Sequence, residues 1–151
     1  MAVRVQTEDF NINEEIKTLT AGRTDIGAVA TFTGLVRGQA ADQAIQSMTL
    51  EHYPGMTEAE LARVEAEALR RFPLTASLII HRVGELAPGD NIVLVIAASP
   101  HRKAAFEGAE FLMDYLKTSA PFWKKEAGSD GQANWVDARE SDTTASERWR
   151  T

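Results

Sequence analysis

The chain has 151 residues, of which 44% are hydrophobic, a length suited to one domain with enough apolar side chains to bury a core. Sixteen Lys plus Arg against 22 Asp plus Glu leave a net charge of −6, which argues against a duplex nucleic-acid binder that works by broad phosphate neutralisation. The sequence contains no cysteine, which excludes disulfides, thiolate zinc sites, cysteine nucleophiles and persulfide carriers, so any sulfur the protein handles must arrive on another molecule.

Alternation over Ala2 to Gln6 predicts a short strand, and Asn13-Glu14-Glu15-Ile16 opens a helical pattern that stops at Gly22. The N-terminal stretch turns acidic at Glu8-Asp9 before any apolar run develops. The longest such run, Ile92 to Ala98, falls well short of the roughly 18 residues of a membrane span, so a soluble cytoplasmic protein without a membrane segment is expected. Ile26 to Val36, rich in Val, Thr and Phe, predicts a long strand ending at Arg37-Gly38. Gln39 to Gln43 lacks periodicity and predicts a mobile loop, after which Ile45 to Tyr53 returns to strand character.

Pro54-Gly55 marks a turn, and Thr57-Glu58-Ala59-Glu60 has the Thr-x-x-Glu form of a capping box ahead of Leu61, Val64 and Leu69. Leu74 to Val83 and Asn91 to Ala98 predict strands that could form a hairpin around Ala87-Pro88-Gly89-Asp90. Ser99-Pro100 supplies a capping hydroxyl before a proline at the first helical position, predicting a helix to about Ser119 with Ala104, Ala105, Gly108, Phe111, Leu112 and Tyr115 on its apolar stripe. Phe122 to Ala127 and Asn134 to Asp137 predict two strands across the Gly128-Ser129-Asp130-Gly131 turn. The whole reads as one domain over 1–151, closed by a polar tail over 139–151 that carries Trp149.

No Gly-x-Gly-x-x-Gly, phosphate loop or Gly-x-Ser-x-Gly is present, so nothing supports a dinucleotide enzyme or a serine hydrolase. His52, His81 and His101 are too widely spaced for a local metal pair; no metal site is expected, and His52 and His81 read as structural. Ser99-Pro100-His101-Arg102-Lys103 places three basic side chains at the positive end of a helix dipole, a conflict that an anionic ligand, phosphate above all, would resolve; solvation or pairing to acids is the plain alternative. Lys117, Lys124 and Lys125 flank Ala120-Pro121-Phe122-Trp123, and alternation sets Lys124 on one face with Phe122 and Glu126, and Lys125 on the other. Lys117 reads either as a surface cap of its helix or, with other cations in a partly dry pocket, as a general base or nucleophile. His101 and Lys117 lie roughly 24 Å apart on one helix, too far for one small pocket, so a single site using both ends requires a second copy of the chain.

Phe32-Thr33-Gly34-Leu35-Val36-Arg37, Leu50-Glu51-His52-Tyr53-Pro54-Gly55-Met56, Ile80-His81-Arg82-Val83-Gly84, Ser99-Pro100-His101-Arg102 and the run Met113 to Glu126 together resemble the catalytic (large) subunit of molybdopterin synthase, the MoaE family, from about Arg4 to Trp149. The resemblance implies an α+β protein, an α/β hammerhead-type fold with an additional α+β subdomain and mixed or antiparallel sheets. It implies a homodimer of large subunits with sites shared across the interface, and a heterotetramer with a small ubiquitin-like sulfur carrier, MoaD. The carrier's C-terminal Gly-Gly thiocarboxylate supplies two sulfurs to cyclic pyranopterin monophosphate. Lys117 is implied as the main catalytic lysine and Lys124 as its collaborator. Arg37, His101 and Arg102 fall on substrate-anion positions, the last two from the other large subunit. The backbone at Leu35 and Val36, with Lys125 and Glu126, is implied to line the pocket, and Arg139 to add to the anion site. No cofactor is implied.

Two other classes stay open on the residues: a non-catalytic dimeric module that grips the carboxylate tail of a ubiquitin-like protein, and a phosphate-ester enzyme that needs no protein partner.

Overall fold

The computed structural model describes residues 2–40, 43–118, 121–128, 133–136, 147 and 149. Its first sheet has the strand order β1-β5-β7-β2, formed by β1 (Ala2–Gln6), β2 (Ala28–Leu35), β5 (Ala76–Arg82) and β7 (Asn91–Ser99). β1 runs parallel to β5, and β7 runs antiparallel to both β5 and β2. The two central strands are apolar on both faces because both faces are covered. Ile79, Val93, Val95 and Ala97 meet Leu61, Val64 and Ala68 of α2 (Met56–Arg71) and Ala105, Phe111, Leu112 and Leu116 of α3 (Arg102–Thr118). Leu78, Ile80, Leu94 and Ile96 point the other way, onto Phe10 and onto Ile12, Ile16 and Leu19 of α1 (Ile12–Thr20).

The second sheet is built around β4 (Gln43–His52), which pairs antiparallel with β3 (Gln39–Ala40), β6 (Gly84–Leu86) and β8 (Phe122–Gly128), and β8 pairs in turn with β9 (Ala133–Val136). A small core of Val36, Met48, Leu50, Val83 and Leu86 joins the two sheets. This is the mixed α+β architecture expected. No helix among the described residues is long and apolar enough to cross a membrane.

Several local expectations are corrected. Gln39 and Ala40 are not loop but the first arm of a hairpin, with Gln39 opposite Ala44 and Ala40 opposite Gln43. β5 and β7 do pair antiparallel as a hairpin, with the Asp90 N–H donating to the Ala87 carbonyl at 3.0 Å in its turn, but the segment between them is longer than a turn, because β6 leaves to pair with β4 at Met48 to Leu50. α2 starts before Thr57: Gly55 caps it, and the Glu58 carboxylate accepts the Gly55 N–H at 3.3 Å. Gly55 sits at φ +86, a conformation natural to glycine, so the cap consists of a backbone turn with a returning carboxylate. Ser99 ends β7 instead of capping α3; its hydroxyl donates to the His101 carbonyl, and the helix begins at Arg102.

The polar tail also does more than its composition suggests. The Trp149 indole packs edge-on against Phe72 and Phe111 and donates its N–H to the Asp114 carboxylate at 2.6 Å, while Arg71 donates to the Trp149 carbonyl. Trp149 therefore packs on its own chain, across α2 and α3. Residues 129–132, where most of the expected Gly128–Gly131 turn falls, and residues 137–146, Arg139 among them, lie outside the described residues.

Candidate active site

The register of the first sheet sorts the candidate residues into two groups. Val93 on β7 is the pairing partner of both Gly34 on β2 and His81 on β5. The Leu35–Arg37 segment and His81 thus share the end of the sheet where β7 begins. β7 then runs to Ser99 at the far end, where α3 starts with Arg102. The 17 residues of α3 carry the chain back over the sheet by roughly 25 Å, which returns Lys117 to the end that holds His81 and Arg37. Within one chain, His101 and Arg102 are at the opposite end of the molecule from Lys117.

At the Lys117 end, α3 is followed by Pro121 and by β8, which lies along β4 with Phe122 opposite His52, Lys124 opposite Leu50, Lys125 opposite Thr49 and Glu126 opposite Met48. The connection is fixed from below by Thr57, wholly buried in the first turn of α2. Its hydroxyl donates to the Pro121 carbonyl at 3.0 Å and accepts the Tyr53 N–H at 3.0 Å. Phe122 stacks on the His81 imidazole, with ring centroids 3.8 Å apart and planes 19° from parallel.

His81 at this end has a strongly altered acidity. Its ring is buried, and burial, together with the positive charges of Lys117 and His52, pushes its pKa down to about 4. The imidazole is therefore neutral at pH 7. Its Nδ1 lies 2.8 Å from the Arg82 carbonyl, which can only accept, so Nδ1 carries the proton and Nε2 carries a lone pair. His52 in turn faces Glu58, with Nε2 and Oε1 3.8 Å apart, too long for a hydrogen bond but close enough for charge attraction when the ring is protonated.

Arg37 is exposed just past β2, beyond a well-anchored segment. The Val36 N–H donates to the Asp90 carbonyl at 2.9 Å, and the Val36 carbonyl accepts the Gly89 N–H at 2.8 Å. Leu35 is half exposed and Val36 buried, so of these two only the Leu35 side chain is presented outward. Lys117 is exposed and Lys124 half-buried. At the other end, His101 and Arg102 are exposed, and Lys103 reaches Glu107 at 3.7 Å. Their turn rests on Gly27, whose N–H donates to the Ser99 carbonyl at 3.0 Å and whose Cα lies against Pro100.

His52 and His81, read from the sequence as structural, come together in the fold, and Lys117, 36 residues beyond His81 in the chain, returns close enough for its charge to act on the His81 ring. One sequence signal was available for His81, an ionisable ring that directly follows the apolar run Leu78-Ile79-Ile80 within β5.

The chain and its fold are similar to known proteins. The family described as "MoaE protein" matches residues 5–119. A molybdopterin synthase catalytic subunit from Mesorhizobium japonicum is 55% identical over 150 residues, covering 99% of this chain and 93% of that protein. The solved structure of a molybdopterin biosynthesis MoaE protein from Burkholderia ambifaria superposes with a TM-score of 0.84 at 51% identity, covering 99% of this chain and 98% of that one. The same fold recurs at 21% identity, with a TM-score of 0.71 over 91% of this chain and 90% of that one, in a protein-protein complex of subunits 1 and 2 of molybdopterin-converting factor from Helicobacter pylori. With its family match, its near-full-length relatives and its fold in agreement, the chain belongs to the MoaE family of molybdopterin synthase catalytic subunits, enzymes of molybdenum cofactor biosynthesis.

Proposed function

We propose that the chain converts cyclic pyranopterin monophosphate to molybdopterin with sulfur delivered twice, each time by the C-terminal thiocarboxylate of a small ubiquitin-like subunit, and that Lys117 and Lys124 act at the reacting atoms. The observation that carries the reading is the junction of α3 and β8: Thr57 clamps Pro121, Phe122 stacks on a neutral His81, and a lysine stands on either side. Two primary amines held at one rim can move protons and stabilise the negative charge that develops as the thiocarboxylate sulfur attacks. Covalent attack by Lys117 is the variant of this mechanism that the same placement permits. Arg37 belongs to the same end of the sheet and is suited to the substrate phosphate. Lys125 and Glu126 follow on β8 as further lining residues, and Arg139 is retained as an anion contact on the resemblance alone.

His101 and Arg102 enter this reading through a second copy of the chain. A symmetric dimer would bring the α3 start of one protomer to the Lys117 end of its partner and build two equal sites, each completed by a small subunit. The absence of cysteine fits, since the sulfur comes on that partner. The test is reconstitution of the chain with a thiocarboxylated small subunit and cyclic pyranopterin monophosphate, scored for molybdopterin. Product that requires both Lys117 and the thiocarboxylate is the expected result. Tail binding without turnover would favour a non-catalytic adapter, and turnover without the small subunit a standalone phosphate-ester enzyme. Mixed dimers with one protomer mutated at His101 and the other at Lys117 should regain one wild-type site; no recovery would overturn the shared-site arrangement.

A further inference from the structure

We infer that His81 is a positioning residue for Lys117: the imidazole, fixed by the Arg82 carbonyl and the Phe122 ring, offers its Nε2 lone pair to the Lys117 side-chain nitrogen and holds it toward the substrate. The inference rests on the proposed role of Lys117 at the reacting atoms.

Three constraints on the ring lead to it. The Nδ1–H is committed to the Arg82 carbonyl at 2.8 Å, which sets the tautomer. The stack on Phe122 at 3.8 Å sets the plane of the ring, and Phe122 lies in the stretch between the two lysines. Burial keeps the ring neutral, so the one remaining polar atom is an acceptor. The charged and titratable groups that face it are Lys117 from α3 and His52 from β4, and both oppose its protonation; β8 presents the Phe122 ring, and Glu58 of α2 faces His52.

A neutral acceptor does for a catalytic lysine what a carboxylate cannot. A carboxylate at this position would hold Lys117 as an ammonium ion by charge. An imidazole lone pair accepts from either the ammonium or the amine, so it orients the nitrogen and leaves its proton available for transfer. His81 itself never takes the proton, and no bond to it forms or breaks in the reaction.

His81→Phe preserves a ring against Phe122 and removes the acceptor, whereas His81→Gln restores an acceptor through its amide oxygen. The five lysines of the full chain can be carbon-13 dimethylated and titrated by NMR, with Lys117→Ala identifying the Lys117 signal. Loss of an acceptor destabilises the ammonium, so in His81→Phe the Lys117 midpoint should fall by about half a unit or more, and His81→Gln should recover most of it. In the reconstituted synthase, His81→Phe should lower kcat by about tenfold with KM for the pterin nearly unchanged, and should add no further loss in a Lys117→Ala background. An unchanged Lys117 midpoint, or losses that simply add in the double variant, would overturn the inference. If Lys117→Ala kept full turnover, the catalytic reading of Lys117 would fail while the titration still decided whether His81 contacts it. Should His81→Phe not fold, His81→Asn, which keeps a donor for Arg82 but is too short to reach Lys117, carries the same expected shift.

Discussion

Thr57 and Pro121 are joined by a hydrogen bond of 3.0 Å across 64 residues of sequence, and it ties the first turn of α2 to the stretch that separates Lys117 from Lys124. The same hydroxyl accepts the Tyr53 N–H, so one buried oxygen fixes two backbone segments.

Thr57→Val keeps the shape and removes both bonds. Two part-buried hydrogen bonds, from the Tyr53 N–H and to the Pro121 carbonyl, are then lost, for a cost of about 1–3 kcal/mol in stability, read from urea unfolding. Turnover should fall further than in a variant equally destabilised near α1, because the Pro121 carbonyl is released beside the lysines. Thr57→Ser should keep both properties close to the parent. Equal turnover losses in the Thr57 and α1 variants would show that the clamp has no bearing on the site.

Gly27→Ala tests the other end of the molecule. A Cβ at this position would lie 2.3 Å from the Pro100 carbonyl oxygen, so backbone must shift in the turn that carries His101 and Arg102. Gly34→Ala meets side chains alone, Val93 at 2.8 Å and Phe32 at 3.5 Å, and is the control for simple crowding. Gly27→Ala should cost about 1–3 kcal/mol in unfolding free energy. It should also raise KM for the pterin more than it lowers kcat, since the displaced residues are proposed to hold the substrate anion. The kinetics of the two alanine variants side by side check this.

Stability should depend on pH through His81. The ring is held neutral down to about pH 4 in the folded chain, whereas in the unfolded chain it titrates near 6.5. Between those values the unfolded state binds the extra proton, so this contribution is intact above pH 6.5 and declines as the pH falls toward 4, by roughly 3 kcal/mol in all. Urea unfolding free energies of the parent and of His81→Gln, compared from pH 7 to 4, should show a flatter profile in the variant. Parallel profiles would mean that His81 is not the titrating group.

Glu65 titrates in the opposite sense. Burial raises its pKa, although the Ser77 hydroxyl donates to it at 2.6 Å, so its ionised form is a burden on the fold that grows as the pH rises through the folded-state value. Glu65→Gln keeps an oxygen for Ser77 and removes the charge. Its melting temperature at pH 8 should equal or exceed that of the parent, with the advantage shrinking as the solution is acidified. A lower melting temperature at pH 8 would show that the carboxylate charge itself is stabilising.

Most of the architecture could be read from periodicity, because the central strands β5 and β7 and the helices α2 and α3 carry one-sided or two-sided apolar patterns that no local interaction overrides. The errors occur where a side chain serves a distant partner. Thr57 has the spacing of a capping residue, but its hydroxyl is committed to Pro121, and the cap passes to Gly55. β6 is three residues long and gains its identity only from β4, 34 or more residues away in the chain. Trp149 reads as an isolated aromatic in a polar tail until Asp114 and Phe72 are brought beneath it. The placement of Arg37 and Lys117 at one end follows from strand register, which the sequence could suggest only through resemblance. The pairing of His81 with Phe122 was not legible at all, since it joins the end of one sheet to the start of a strand in the other.

α3 has one further consequence. It runs unbroken from Arg102 to Thr118, with Ala105, Phe111, Leu112 and Leu116 keyed into the sheet below. Inserting or deleting a single residue between its ends would turn Lys117 by about 100° relative to Arg102 and move it by about 1.5 Å. No side-chain substitution can repair such a change of phase. The helix therefore acts as a ruler as well as a scaffold, and along it the protein should tolerate many exchanges of residue type but no change in the number of residues.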